Sequence, residues 1–443
     1  MSTVTSSLNT WQKKKLCSLF NHASLSLLFK ASVHGYNANT FHQKCNMQGP
    51  TVIVAYNKSG YVFGAFTSKN YAQTGQQIVD DKAFLFSFNS KEIKEDPLRV
   101  VSGNPQYTLC DNGPNFVSLV FLYNNTSAVY SNPGTYQFDP LKMHGNDLQL
   151  TECEVYRVED CGGLMEKPWR NLQWNSERQA LLSTISGWKP SVSSVKQARI
   201  LLVGPVGAGK SSFYNSINSA FRGYVSMQAN TGTAGTSLTT QFRTYYIRPS
   251  NNITHVPFIL CDTMGLEDGV NTGLDVDDFA SILKGHIQDK YQFNPSMPIQ
   301  PDSPHFNESP GLKDKIHCVV YVIDIRVKLL PDKIIEKFVI FRKKANQLGI
   351  PQLVLLTKVD EACPLVAKDL KNVYQSYYVN KMMQEVSYQL GVSLSAVIPV
   401  KNYYQELEID SPTDILLLNA VVQMLRAAEG YFDDFYNPEE RSK

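Results

Sequence analysis

"RILLVGPVGAGKSSFYNSINSAF", Arg199 to Phe221, decides how the second half of this 443-residue chain is read. An apolar run leads into G-x-x-x-x-G-K-S, Gly204 to Ser211, and then Phe213, Ile217 and Phe221 recur every four residues as on one face of a helix. Strand, loop and helix in that order give the spacing its meaning. Gly207 and Gly209 let the backbone bend so that successive N–H groups converge on phosphate oxygens. The helix N-terminus adds its positive dipole end. The expected phosphate-binding set is therefore Gly204, Gly207, Ala208, Gly209, Lys210, Ser211 and Ser212. In it Lys210 brings a full charge to the β- and γ-phosphates and Ser211 offers a hydroxyl to Mg²⁺.

Outward from this loop, "RILLVG", "PFILCD", "CVVYVID" and "QLVLLTK" are near-continuous apolar runs, the pattern of strands buried on both faces of a parallel sheet. "DDFASILKGHIQDKY" and "PDKIIEKFVIFRKKANQLG" between them have helical periodicity. Residues Asn294 to Gly311 carry five prolines and no periodicity, which predicts a long surface insertion. "PTDILLLNAVVQMLRAAEG" reads as a last helix ending at Gly430, a suitable residue to follow a helix C-cap. Upstream, "NSERQALLSTISGW" predicts an amphipathic helix capped by Asn175 or Ser176, and "KPSVSSVKQ" a linker. The first 160 residues differ in kind. "LSLLFKAS", "PTVIVAY", "YVFGAF", "KAFLFSF" and "ECEVYRV" are short β-branched and aromatic runs separated by Gly, Pro and Asn, with a short helix around Asn37 to Asn46. The expected organisation is a β-rich α+β domain over 1–160, a sandwich with helices; a helical linker over 161–196; and an α/β P-loop domain with a mostly parallel sheet over 197–443.

Three further stretches bear on which nucleotide the loop holds. "FILCDTMG" ends a strand at Asp262 and places Gly265 three residues on; Asp262 can hold Mg²⁺, and the Gly265 N–H can approach a γ-phosphate with no Cβ in the way. "LVLLTKVD" ends a strand in Thr357, Lys358, Val359 and Asp360. A carboxylate at Asp360 can accept from two adjacent donors of guanine, a pair adenine lacks, while the Lys358 stem can lie over the base. "AVIPVKNYY" supplies, at Val400, Lys401 and Asn402, a turn suited to the guanine O6. Each stretch closes a strand, the edge where open α/β sheets bind ligands. The expected cofactors are GTP or GDP with Mg²⁺. The threonine that would complete the metal site is open between Thr239, Thr240 and Thr236, with spacing to "FRTYYI" favouring the first two. After Gly265 stands Leu266, where many small GTPases carry a water-orienting glutamine; Glu267 and Asp268 follow. Hydrolysis is expected to be slow, or to need a group from a partner or a second copy.

The net charge of +2 gives no electrostatic footprint for nucleic acid. No apolar run is long enough to span a membrane, and "MSTVTSSLNTWQKKKLCSLF" lacks a signal-peptide core, so a cytoplasmic location is expected. Eight cysteines, at 17, 45, 110, 153, 161, 261, 318 and 363, show no zinc-ligand spacing and are expected to be reduced. His34, His42 and Cys45 invite comparison with a Cys/His pair, but Cys45 shares the apolar face of its helix with Phe41, and a structural role is expected.

At Gly204–Ser211, Asp262, Gly265 and Thr357–Asp360 the second half resembles the translation-factor-related GTPases. Leu27 to Ser68, with "CDNGPNF" and "ECEVYRV" further on, resembles the TLDc domain. A TLDc domain followed by a GTPase-like domain resembles the interferon-induced protein 44 family. The resemblance implies a cytoplasmic, interferon-inducible protein of antiviral innate immunity. Its TLDc surface would meet a protein partner, as other TLDc proteins are linked to the vacuolar proton pump. Two functions follow as expectations: a GTP-dependent conformational switch, or a non-hydrolysing scaffold around a structural nucleotide.

Overall fold

The computed structural model describes residues 4–20, 23–89, 96–104, 106–110, 113–174, 177–229, 239–249, 256–267, 272–294, 296–327 and 330–435. Asn175, Ser176, Thr236 and Asp268 lie outside the described residues. The chain forms two compact units, residues 4–162 and 163–443.

In the first unit, strands β1 (Ala23–Lys30), β2 (Thr51–Asn57), β3 (Tyr61–Thr67), β4 (Phe84–Asn89), β5 (Leu98–Val101) and β6 (Leu150–Asp160) make one antiparallel sheet in the order β1-β6-β2-β3-β4-β5. Side chains alternate between two separate cores, as a pleated strand dictates. Ile53, Phe63, Leu85 and Val155 pack with Phe41, Tyr71, Phe116 and Phe121. Val52, Val54, Phe86 and Tyr156 face the other way, onto Leu16, Trp11 and Phe20. The expected sandwich is thus only partly realised: the layer opposite the first core consists of two-residue ribbons (Gln77–Ile78 with Leu109–Cys110, Leu119–Val120 with Tyr130–Ser131), loops and helix α2 (Ala38–Cys45). Helix α1 (Thr10–Cys17), opened by a capping box between Asn9 and Gln12, brings Leu16 to the second core. Buried Glu154 ties down the chain ahead of α1, accepting from the Ser7 N–H at 2.7 Å and pairing with Lys30 at 3.2 Å. His42 and Cys45 are both buried; the His42 ring bonds the Asn46 amide and burial pushes the Cys45 thiol upward, an inert arrangement.

The second unit holds β7 (Ala198–Val203), β8 (Arg243–Tyr246), β9 (Phe258–Asp262), β10 (Cys318–Asp324), β11 (Gln352–Thr357) and β12 (Val397–Pro399) in the order β8-β9-β7-β10-β11-β12. All neighbours are parallel except the edge pair β8 and β9. Every residue of β10 is buried, so both faces of the sheet are covered. Helices α3 (Glu177–Gly187), α4 (Lys210–Arg222) and α8 (Ser411–Asp433) pack together, as do α5 (Val276–Lys284), α6 (Asp332–Gln347) and α7 (Tyr377–Leu390). Arg178 of α3 pairs with Asp414 of α8 and donates to the Ala220 carbonyl of α4. Helix α8 does not stop at Gly430 but runs to Asp433, because Tyr431 and Phe432 are buried against the His317 ring and repay its continuation. The proline-rich stretch after α5 is pinned rather than loose: buried Asp278 accepts from the Ile299 N–H at 2.7 Å, and Asn307 N–H from that stretch donates to the His286 carbonyl.

Candidate nucleotide-binding site

Gly204 ends β7 against β10 so closely that a Cβ there would lie 2.1 Å from the Val322 carbonyl oxygen. The loop then turns through positive φ at Gly207 (76°) and Gly209 (98°), and Gly209 is the N-cap of α4. Lys210, the first residue of the helix, is buried; its ammonium donates to the Gly204 and Pro205 carbonyls at 2.9 and 3.1 Å. Burial pulls its pKa down, and the carboxylate of Asp262 pushes it back.

Asp262, at the end of β9, is fully buried. It accepts from the Ser211 hydroxyl at 2.7 Å, from the Thr263 N–H at 3.0 Å and from the Thr239 hydroxyl. Burial raises its pKa, while Lys210 and these donors lower it. Ser211 and Thr239 hydroxyl oxygens are 3.4 Å apart. Three hard oxygen donors thus converge from the loop, the segment before β8 and the end of β9, a set that suits Mg²⁺. Of the two described threonine candidates, Thr239 takes this place; the Thr240 carbonyl accepts from Phe293 N–H and the Gln292 amide instead.

Gly265 follows within reach of the loop, where a Cβ would meet Val206 at 2.6 Å. Leu266 is buried, and its backbone forms one rung with the loop: its N–H donates to the Gly204 carbonyl and its carbonyl accepts from Val206.

The end of β11 is fastened to the same loop. Thr357 donates its hydroxyl to the Ala208 carbonyl at 2.7 Å. Lys358, in the left-handed conformation (φ 61°), donates to the Gly207 carbonyl at 2.9 Å and to Asp324 at 2.8 Å. Asn402 donates to the Gly209 carbonyl at 3.2 Å. Asp324 is itself gripped by Arg326 and held below the usual carboxylate range: burial pushes its pKa up, and hydrogen bonds from Arg326 with the charge of Lys358 more than reverse this. Asp360 is half-buried; burial raises its pKa and nearby Lys401 lowers it. Ser212, on the first turn of α4, opens into a cavity of about 450 Å³ shared with Asn215, Met227, Tyr403, Tyr404 and Gln405. The structure therefore gathers Gly204 to Ser212, Thr239, Asp262, Gly265, Thr357 and Lys358 at one end of the sheet, with Asp360 and Lys401 beside them.

A relative from Homo sapiens, "Interferon-induced protein 44-like", is 35% identical over 437 residues, 96% of this chain and 95% of its own length. The chain belongs to the interferon-induced protein 44 family. The protein of that name from Mus musculus is 32% identical over 436 residues, 96% of this chain and 97% of its own. The family model for the TLDc domain matches residues 3–159. Among solved structures, Toc33 from Arabidopsis thaliana in complex with GDP and Mg²⁺ shares 13% identity over 58% of this chain and 97% of its own, with a TM-score of 0.36.

In this member of the interferon-induced protein 44 family, two residues of the site had escaped the sequence reading. Asp324 closes the apolar run of β10, and an acid at that edge of a parallel sheet was the available signal. Glu406, which pairs with Lys401 at 2.7 Å, left no signal, since it lies in an irregular loop.

Proposed function

We propose that residues 163–443 bind a guanine nucleotide with Mg²⁺, and that the nucleotide state sets how the TLDc domain meets a protein partner in the interferon-induced antiviral response. The observation that carries this reading is the fastening of Thr357 and Lys358 to the Ala208 and Gly207 carbonyls. It brings the base-reading end of β11 and the phosphate loop into one arrangement, with Asp360 two residues beyond Lys358. Backbone N–H groups of the loop and the Lys210 ammonium bind phosphate; Asp360 selects the base; Ser211, Thr239 and Asp262 hold the metal. Mg²⁺ there supplies charge neutralisation for the β- and γ-phosphates. The partner engages the TLDc surface in the cytoplasm, with the vacuolar proton pump a candidate by family resemblance.

Leu266 supports slow or partner-assisted hydrolysis, because its buried side chain has nothing to orient a water. The same observation favours a second reading, a scaffold whose nucleotide is bound permanently. Affinity separates the two, since a switch must bind GDP and GTP unequally. The test is a competition titration with Mg²⁺, in which GTP, GDP and ATP displace a fluorescent guanine nucleotide. Displacement by GTP and GDP but not ATP, weakened in Asp360→Asn, is the expected result; equal displacement by ATP would refute the guanine reading.

A further inference from the structure

Lys401 lies just past β12, the parallel neighbour of β11, which leads into Asp360. It pairs with Glu406 at 2.7 Å, and it is also the charge that lowers the pKa of Asp360 against the effect of burial. Glu406 has a second engagement: its other oxygen accepts from the backbone N–H groups of Tyr404 and Gln405 at 2.8 and 3.1 Å. Burial would raise the Glu406 pKa, but the bond from Lys401 and the backbone N–H groups of Tyr404 and Glu406 hold it at about 2. Both Tyr404 and Gln405 line the cavity that opens at Ser212.

We infer that Glu406 is a specificity-determining, positioning residue for the base, resting on the guanine reading above: it holds Lys401 off Asp360. A carboxylate that must accept from two donors of a guanine cannot do so while an ammonium occupies its oxygens. With Glu406 in place the lysine has a closer partner, already fixed by two backbone donors, and the Asp360 oxygens stay open to the base. Without that charge, Asp360 is a carboxylate on which Lys401 already acts, and it captures the ammonium. The effect is selective. Phosphate contacts, common to every nucleoside triphosphate, are untouched, whereas the base contact that separates guanine from adenine is lost.

The test compares the full-length wild type, Glu406→Gln, Lys401→Met and the double variant by competition titration with GTP and ATP. The glutamine keeps an acceptor for the loop N–H groups, and the methionine keeps the backbone turn. Glu406→Gln should lower the preference for GTP over ATP by about tenfold or more, the weight of a charged hydrogen bond, with ATP binding unchanged. Lys401→Met is the reference for the double variant: once Lys401 is replaced, adding Glu406→Gln should lower the preference no further. An unchanged preference in Glu406→Gln overturns the inference while the guanine reading stands. So does a double variant that falls as far below Lys401→Met as Glu406→Gln falls below the wild type, which would make Glu406 a loop prop only. A wild type with no preference for GTP overturns the guanine reading, and this inference with it.

Discussion

The ammonium of Lys210 is shut away from water and satisfied by two carbonyls of its own loop. Replacing it with methionine removes the charge proposed to meet phosphate and also removes a desolvated ion. Lys210→Met should therefore weaken nucleotide binding by about 100-fold or more, the value of two charge-assisted bonds. Thermal stability should fall as well, because fully buried Asp262 loses the charge that offsets its burial. Titration and a thermal melt of the same variant check both halves. Asp278 offers a different measurement. Its burial raises the pKa to about 6, with Asp275 and Asp277 adding to the shift and the Ile299 N–H and Tyr291 hydroxyl opposing it. The folded state then binds a proton that the unfolded state releases, so this group's stabilisation is present below the ordinary carboxylate pKa and is lost as pH rises through about 6. The loss amounts to roughly 3 kcal/mol for a shift of about two units. Asp278→Asn, which still accepts from Ile299, should be more stable than wild type at pH 7 and lose that advantage near pH 4; denaturant midpoints at the two pH values decide it.

Helices α3 and α8 meet through one ion pair. Asp414 is fully buried and held by Arg178 and by the Tyr403 hydroxyl at 2.8 Å. Arg178→Met leaves that carboxylate short of its charge partner and should cost about 3 kcal/mol, whereas Arg178→Met with Asp414→Leu should recover most of it. Chemical denaturation of the three proteins is the check; a double variant no better than the single would place the cost in lost arginine packing. At this scale the sequence was read unevenly. Helix α4 and the strands of the second sheet were legible because spacing and apolar runs carry them directly. Helix α1 was not: "TWQKKKLC" buries only Gln12 and Leu16, too few residues for a periodic stripe. The extent of α8 was misjudged because Gly430 is a local stop signal that packing of the next two residues overrides.

At the scale of the whole molecule, two compact units imply two melting transitions in the full-length chain. A ligand that binds one folded unit stabilises only that unit. GTP with Mg²⁺ at about 100 times its dissociation constant should raise the transition of residues 163–443 by about 2.7 kcal/mol and leave that of residues 4–162 in place. Calorimetry that shows both moving together would make the two thermodynamically one. The sequence conveyed the class of each unit but not the form of the first. When both faces of a sheet are covered, as Val52 and Ile53 show on adjacent positions, the alternation that tells a lone sheet from a sandwich disappears. The site was legible where one residue type is required, at Gly204, Lys210 and Asp262. It was opaque where a partner distant in sequence does the holding, as Asp324 does for Lys358.

The bonds from Thr357, Lys358 and Asn402 to three successive carbonyls, of Ala208, Gly207 and Gly209, have a kinetic consequence. They join the end of β11 and the turn after β12 to the Gly204–Ser211 loop through the chain's own groups, so on the guanine reading little of this part of the pocket has to be assembled on arrival. Entry should then proceed at similar speed for every purine nucleotide, and discrimination should reside in how long each one stays. Stopped-flow traces would show it as near-equal association rates and widely separated residence times.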